Sequence, residues 1–151
     1  KIKNVNFVFT YNNADTEAGY FIKKIQQFSK FQNKNVKVIK SFGSSMYFSI
    51  LKNSDIIIGN SSSGILEAPS AKTPTLNIGN RQLGRIFSPS IFQCDLDENQ
   101  IYKKIFKILR LKKIKFSNPY YKKNVSSKMI SLCKRIILKK NEVFKKFYDI
   151  K

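Results

Sequence analysis

Apolar residues along this chain fall into two kinds of pattern, short unbroken runs and stripes at helical spacing, and the two alternate. Residues 5–11 (VNFVFTY) form a β-branched and aromatic run that stops at Asn12-Asn13-Ala14-Asp15, as a buried strand does on entering a loop. Asp15 or Thr16 is placed to cap a helix over residues 17–31. There Phe21, Ile22, Ile25, Phe28 and Phe31 recur every three or four positions with Lys23, Lys24, Gln26 and Gln27 between them. A strand at 36–40 follows, then a helix opening at Ser44 or Ser45 with Tyr47, Phe48, Ile50 and Leu51 apolar. The run at 55–58 (DIII) is a strand ending at Gly59. Residues 61–70 read as a short helix closed near Pro69, and 75–78 and 90–94 as further strands. Helices are predicted at 97–112 and 124–148, with a Pro-containing loop at 116–121 between them. Unbroken apolar strands separated by helices imply a parallel sheet covered on both faces, so the fold class is α/β, a doubly wound sheet ending in a long helix. No tandem repeat or Gly/Ser linker appears, and 151 residues with 42% hydrophobic content make a single domain with a core.

Composition narrows the chemistry. Histidine is absent, which removes Ser-His-Asp and Cys-His catalysis and every His-containing metal site within these residues. Cys94 and Cys133 have neither a CxxC spacing nor the density of a disulfide scaffold, so a reduced, cytoplasmic protein is expected. No apolar run approaches the ~18 residues of a membrane span. The chain begins at Lys1, with Met46 and Met129 its only methionines, which reads as a piece of something longer.

The net charge of +20 invites a polyanion partner, but its distribution weakens that reading. Residues 103–151 hold 17 basic and 2 acidic residues, against 12 and 7 in residues 1–102. Of the 29 basic residues 25 are Lys, in a chain also crowded with Asn, Ile and Phe, as an A/T-rich coding bias would produce. The positive field still favours the approach of small anions.

The segment Gly59-Asn60-Ser61-Ser62-Ser63-Gly64-Ile65-Leu66-Glu67-Ala68-Pro69 stands where a buried strand ends and a helix begins. Unpaired N–H groups at a helix start, together with small residues that let a ligand approach the backbone, make an anion site. In doubly wound sheets ligands lie outside the carboxyl ends of the strands. A serine cluster of this kind is also what a helix cap without a ligand looks like. Glu67 is suited to accept hydrogen bonds from ribose hydroxyls, or simply to satisfy the helix dipole. Further on, Asn77-Ile78-Gly79-Asn80-Arg81-Gln82-Leu83-Gly84-Arg85 concentrates two of the four arginines between glycines, and Arg suits bidentate phosphate recognition where a surface cation in this chain would be Lys.

With NNAD and SFGSSMYFSILKNSDIIIGN before them, these motifs make residues 7–94 resemble the C-terminal half of the hydrolysing UDP-N-acetylglucosamine 2-epimerases of sialic and legionaminic acid synthesis. The resemblance implies a B-type glycosyltransferase (GT-B) architecture, two Rossmann-like halves with the sugar nucleotide between them, of which residues 1–151 are a single, incomplete UDP-binding domain. The N-terminal half and this domain's first strand and helix are then absent. Carried over by motif, Ser61 and Ser62 would hold the diphosphate and Ser63 support the turn. Glu67 would take the ribose hydroxyls and Arg81 face the phosphates, while Asn13 would sit near phosphates and sugar and the backbone around Phe42 would receive uracil. Family members eliminate UDP across C1 and C2 and then add water to the glycal. The proton-handling carboxylates and a histidine lie in the regions missing here, so no catalytic residue, metal or cofactor is assigned to these residues and the chain alone is expected to be inactive. Its implied partners are a UDP-sugar, the missing domain and, in the full-length enzyme, further copies of itself.

One departure stands out: the family's Gly-containing NPYG segment reads Asn118-Pro119-Tyr120-Tyr121-Lys122-Lys123, either reshaping the cleft edge or marking drift. Two other classes remain as alternatives, a basic nucleic-acid-binding module and another GT-B enzyme such as a glycosyltransferase. The first lacks any RNA- or DNA-binding signature, and its 13 Phe sit mainly at core spacing. The arginine motif argues against the second. The basic amphipathic C-terminal helix reads as an apolar stripe left without its partner more readily than as a membrane-surface helix.

Overall fold

A computed structural model describes residues 5–11, 18–31 and 35–138. Its elements alternate as the pattern requires: β1 (Phe7–Thr10), α1 (Ala18–Phe31), β2 (Val36–Ile39), α2 (Gly43–Lys52), β3 (Ile57–Gly59), α3 (Ser63–Leu66), α4 (Ala68–Ala71), β4 (Thr75–Ile78), β5 (Ile91–Cys94), α5 (Glu98–Leu109) and α6 (Val125–Leu138). Every strand pairing is parallel. The class is α/β, but the ladder is in two pieces. β1 pairs with β2 in one sheet, and β3-β4-β5 form a second.

Only the middle strand of the second sheet meets the expectation of cover on both faces. Thr75, Leu76 and Asn77 of β4 are all buried, whereas Ile58 of β3 is 40% exposed and β1 alternates between half-buried and exposed. The reason is position. β4 has strands on both sides, while β3 is an edge with no hydrogen-bonded neighbour on its β2 side among the described residues. One face of β4 places Leu76 against Cys94, Ile105 and Ile108, with Ile78, Phe92 and Ile101 around them, so α5 closes that side. The other face places Thr75 against Gly64 of α3. Helices on both faces are what doubly wound means, and here they bracket β4. In the first sheet Phe28 of α1 packs edge-on against Phe7 and Phe9 of β1.

The helix ends follow their chemistry. Asp97 caps α5 by accepting the Gln100 N–H at 2.7 Å. The single helix expected over 61–70 is instead two one-turn helices that meet at Glu67. Pro69 explains the break: without an N–H it cannot continue the first helix, but it is well tolerated in the first turn of the second. That second helix ends at Lys72 in a left-handed conformation. No residue of α6 is buried, so its apolar stripe, including Met129, Leu132 and Ile136, stands without a partner among the described residues. The predicted extension of this helix to 148, like the Asp15 or Thr16 cap, lies outside them.

Candidate functional site

Three loops leave the carboxyl ends of parallel strands: Phe42 after β2, the serine segment after β3 and the arginine segment after β4. β3 delivers the serines through Gly59, in register with Asn77 of β4. The backbone then turns at once into α3, with the Ser62 carbonyl accepting the N–H groups of Ile65 and Leu66 at 3.0 and 2.9 Å. Ser62 occupies the cap position in helical geometry, yet its side chain makes no cap bond. The neighbouring serines are tied together instead. Ser63 Oγ donates to Ser61 Oγ at 3.2 Å, and the Ser63 N–H lies 3.4 Å from the same oxygen. Tyr47, from the middle of α2, brings its hydroxyl to 2.6 Å from Ser63 Oγ.

The arginine segment folds back toward the serines. Gly79 at φ 72° and Gly84 at φ 85° supply left-handed turns at either end of Asn80-Arg81-Gln82-Leu83, a conformation that side chains disfavour. Between them Gln82 is only 4% exposed and donates its side-chain amide to the Asn60 carbonyl at 2.8 Å. The peptide just before Ser61 is thereby tied to the residue just after Arg81. Arg81 and Arg85 themselves are exposed. Beneath the turn, Asn77 donates to Gln93 Oε1 at 2.7 Å, and Gln93 donates to the Gly79 carbonyl at 2.7 Å, fixing where the loop leaves β4. Two buried acceptors, Asn77 Oδ1 and Gln82 Oε1, have no donor among the described residues.

The structure therefore unites part of the set expected from sequence. Ser61, Ser62 and Ser63 lie beside the Arg81 loop. Glu67 lies at the break between α3 and α4, not inside a continuous helix, with its side chain exposed. Phe42 is the half-buried N-cap of α2, the helix that carries Tyr47, and no hydrogen bond joins it to the serines. Asn13 lies outside the described residues. The contacts that join the loops come from Tyr47 and Gln82, neither of which the sequence singles out. Tyr47 reads as one apolar position in an amphipathic helix, and Gln82 stands in the motif between more conspicuous arginines.

The 116–121 loop is anchored from both ends. Asn118 donates to the Leu66 carbonyl and to Ser70 Oγ, each at 2.7 Å, and the Tyr120 hydroxyl accepts the Ile86 N–H at 2.8 Å. Tyr121 is 59% exposed. A groove of about 660 Å³ along the outer face of α5, lined by Tyr102, Lys103, Phe106, Lys107, Arg110 and Leu111, includes no residue of the serine or arginine loops.

Comparison with known proteins gives the family of this chain. Residues 1–134 match the family model described as UDP-N-acetylglucosamine 2-epimerase. The chain is 36% identical over 149 residues to the polysialic acid biosynthesis protein P7 of Escherichia coli, covering 96% of this chain and 38% of that protein. With the GDP/UDP-N,N'-diacetylbacillosamine 2-epimerase (hydrolyzing) of Campylobacter jejuni it shares 39% identity over 106 residues, covering 69% and 27%. With the UDP-N,N'-diacetylbacillosamine 2-epimerase (hydrolyzing) of Legionella pneumophila it shares 33% over 135 residues, covering 89% and 35%. The chain thus spans between 27% and 38% of the length of these relatives. With the matched region running through both the serine and the arginine loops, this chain belongs to the UDP-N-acetylglucosamine 2-epimerase family.

Proposed function

We propose that this chain is the UDP-gripping part of a hydrolysing 2-epimerase acting on UDP-N-acetylglucosamine or a related UDP-acetamido sugar. The observation that carries the reading is the Gln82 bond to Asn60, which holds the arginine loop against the serine loop at the strand ends. On this reading Ser61 and Ser62 donate to the diphosphate, with Ser63 supporting the turn. Arg81, exposed at the same edge, faces the phosphates as a paired donor. Glu67 takes the ribose hydroxyls, the backbone at Phe42 receives the uracil and Asn13 lies near the phosphates and sugar.

The reaction removes UDP across C1 and C2 of the sugar to leave a glycal, and water then adds to give a ManNAc-type product. Negative charge grows on the diphosphate as the C1–O bond breaks. Fixed donors aimed at that charge lower the barrier, and this is the catalytic work the serine and arginine loops can do. Proton transfer is assigned to parts of the enzyme beyond the third of its relatives' length that this chain spans, so the 151-residue chain binds UDP but does not turn over. The protein works in the cytoplasm on this reading. Among the described residues no helix is long and apolar enough to cross a membrane.

The test is a titration of UDP into the 151-residue chain followed by amide NMR. Wild type is expected to bind, and Ser62→Ala and Arg81→Ala to bind about tenfold more weakly, the scale of one hydrogen bond to a charged group. Wild type that binds no UDP, but binds duplex DNA with a steep salt dependence, would overturn the proposal in favour of a polyanion-binding module.

A further inference from the structure

We infer that Tyr47 is a positioning residue for the diphosphate site, acting through a directed chain of hydroxyls that leaves the Ser61 hydrogen free for an anion. The inference rests on the UDP-binding reading above.

The direction follows from counting donors. A serine hydroxyl has one hydrogen and two lone pairs. Ser61 Oγ receives the Ser63 hydroxyl at 3.2 Å and, at a longer 3.4 Å, the Ser63 N–H. The Ser63 hydroxyl and N–H thus both face Ser61 Oγ as donors, and what Ser61 has to offer in return is its hydrogen. Ser61 is exposed, so that hydrogen is offered outward at the carboxyl end of β3. Ser63 in turn has committed its own hydrogen to Ser61. In the 2.6 Å pair between Tyr47 and Ser63, where either oxygen is able to donate, the tyrosine is therefore the donor.

The order Tyr47 to Ser63 to Ser61 sets the sign of the ligand. A hydroxyl whose oxygen already faces two donors welcomes a phosphate or carboxylate oxygen and rejects a donor such as an ammonium group. Each donation also polarises the next hydroxyl and strengthens its own donation. Tyr47 is well placed to control this because it stands on a different element. α2 is joined to the α3–α4 region at a second point, where Thr73 Oγ1 donates to the Leu51 carbonyl, so the phenol is held by a docked helix and does not move with the serine loop. Without it, the Ser63 hydroxyl loses the donor that fixes its orientation, and Ser61 is free to turn an acceptor toward the ligand.

The experiment compares UDP affinities, by amide NMR titration well below the unfolding temperature, for the wild-type chain, Tyr47→Phe, Ser63→Ala and the double variant. Cutting one chain at either link gives the same result, so each single change is expected to weaken UDP about three- to tenfold, and the double change no further. A purely structural tyrosine would lower the urea midpoint and leave UDP affinity alone, and that outcome overturns the inference. So do losses that add in the double variant, or Tyr47→Phe that binds UDP like wild type. If wild type itself binds no UDP, the UDP-binding reading fails and takes this one with it, and the wild-type arm distinguishes that case.

Discussion

Thr75 and Gly64 hold each other by two opposed contacts: the Thr75 hydroxyl donates to the Gly64 carbonyl at 2.8 Å, while its methyl occupies the space where a side chain on Gly64 would begin. A Cβ at position 64 would fall 2.8 Å from Thr75 Cγ2, closer than carbon atoms pack. The glycine after the three serines is thus set by the approach of α3 to β4. Thr75 cannot rotate away without giving up its hydrogen bond. Gly64→Ala is therefore expected to destabilise the chain by about 1–3 kcal/mol, the cost of overpacking, against at most about 1 kcal/mol gained from helix propensity. Adding Thr75→Ser removes the methyl, keeps the hydroxyl and should restore most of the loss. Urea denaturation of the three variants checks this, and a double variant no more stable than Gly64→Ala would show that the clash is not the cause.

Gln82 gives a second prediction, in which removing a polar group does less harm than charging it. Its Nε2 holds the Asn60 carbonyl, but its Oε1 is buried without a donor among the described residues. Gln82→Leu gives up the bond, about 0.5–1.5 kcal/mol, and also removes the stranded acceptor, so its net effect on stability should be below about 1 kcal/mol. Gln82→Glu puts a carboxylate oxygen against the Asn60 carbonyl at a position only 4% exposed, and should cost more than about 2 kcal/mol at neutral pH. Equal urea midpoints for the two variants would contradict the geometry. UDP affinity should fall in both, because both release the arginine loop from the serine loop.

These contacts mark where sequence reading reached its limit. The alternation of strands and helices was legible because burial leaves a period of two or a continuous run in strands, and a stripe in helices such as α5. The serine and arginine loops were legible because their residue types match the chemistry of a strand end. The break at Glu67 is not: Pro69 reads as a stop, and nothing local tells a terminating proline from one that begins a new turn. The gap between the two sheets was equally invisible, since an apolar edge strand such as Ile57–Gly59 reads like a central one. Tyr47 and Gln82 act across 16 and 22 residues, and a single hydrogen bond at that separation leaves no periodic trace.

α6 makes a prediction by contrast with the core. Met129 and Ile136 are 60% and 63% exposed, and no residue of the helix is buried. Polar substitution there removes no apolar contact from the described fold. Met129→Lys and Ile136→Lys should each leave the urea midpoint within about 0.5 kcal/mol of wild type and raise the concentration at which the chain self-associates, as judged by light scattering. A large loss of stability would mean that this stripe is packed against the fold.

The 116–121 loop supplies the last test, because Asn118 uses its whole side chain. Its amide nitrogen donates to the Leu66 carbonyl and to Ser70 Oγ, which lie on either side of the α3–α4 break, and its oxygen accepts the Tyr120 N–H at 2.9 Å. Tyr120 then reaches Ile86, one residue past Arg85, so the loop clamps the end of the arginine segment to the break that carries Glu67. Asn118→Ala should cost about 0.5–1.5 kcal/mol, mostly from the part-buried bond to the Leu66 carbonyl, since water can replace it at the exposed Ser70 hydroxyl and Tyr120 N–H. Asn118→Asp should cost at least as much at neutral pH, because an ionised oxygen then faces the Leu66 carbonyl where an amide donor stood. Tyr120→Phe is gentler and more local. It removes the acceptor of a single N–H, so hydrogen exchange at the Ile86 amide should accelerate while amides in β4 keep their protection. Unchanged exchange at Ile86 would show that the arginine segment is held without the tyrosine, and the loop would then have no hold on the site beyond Asn118.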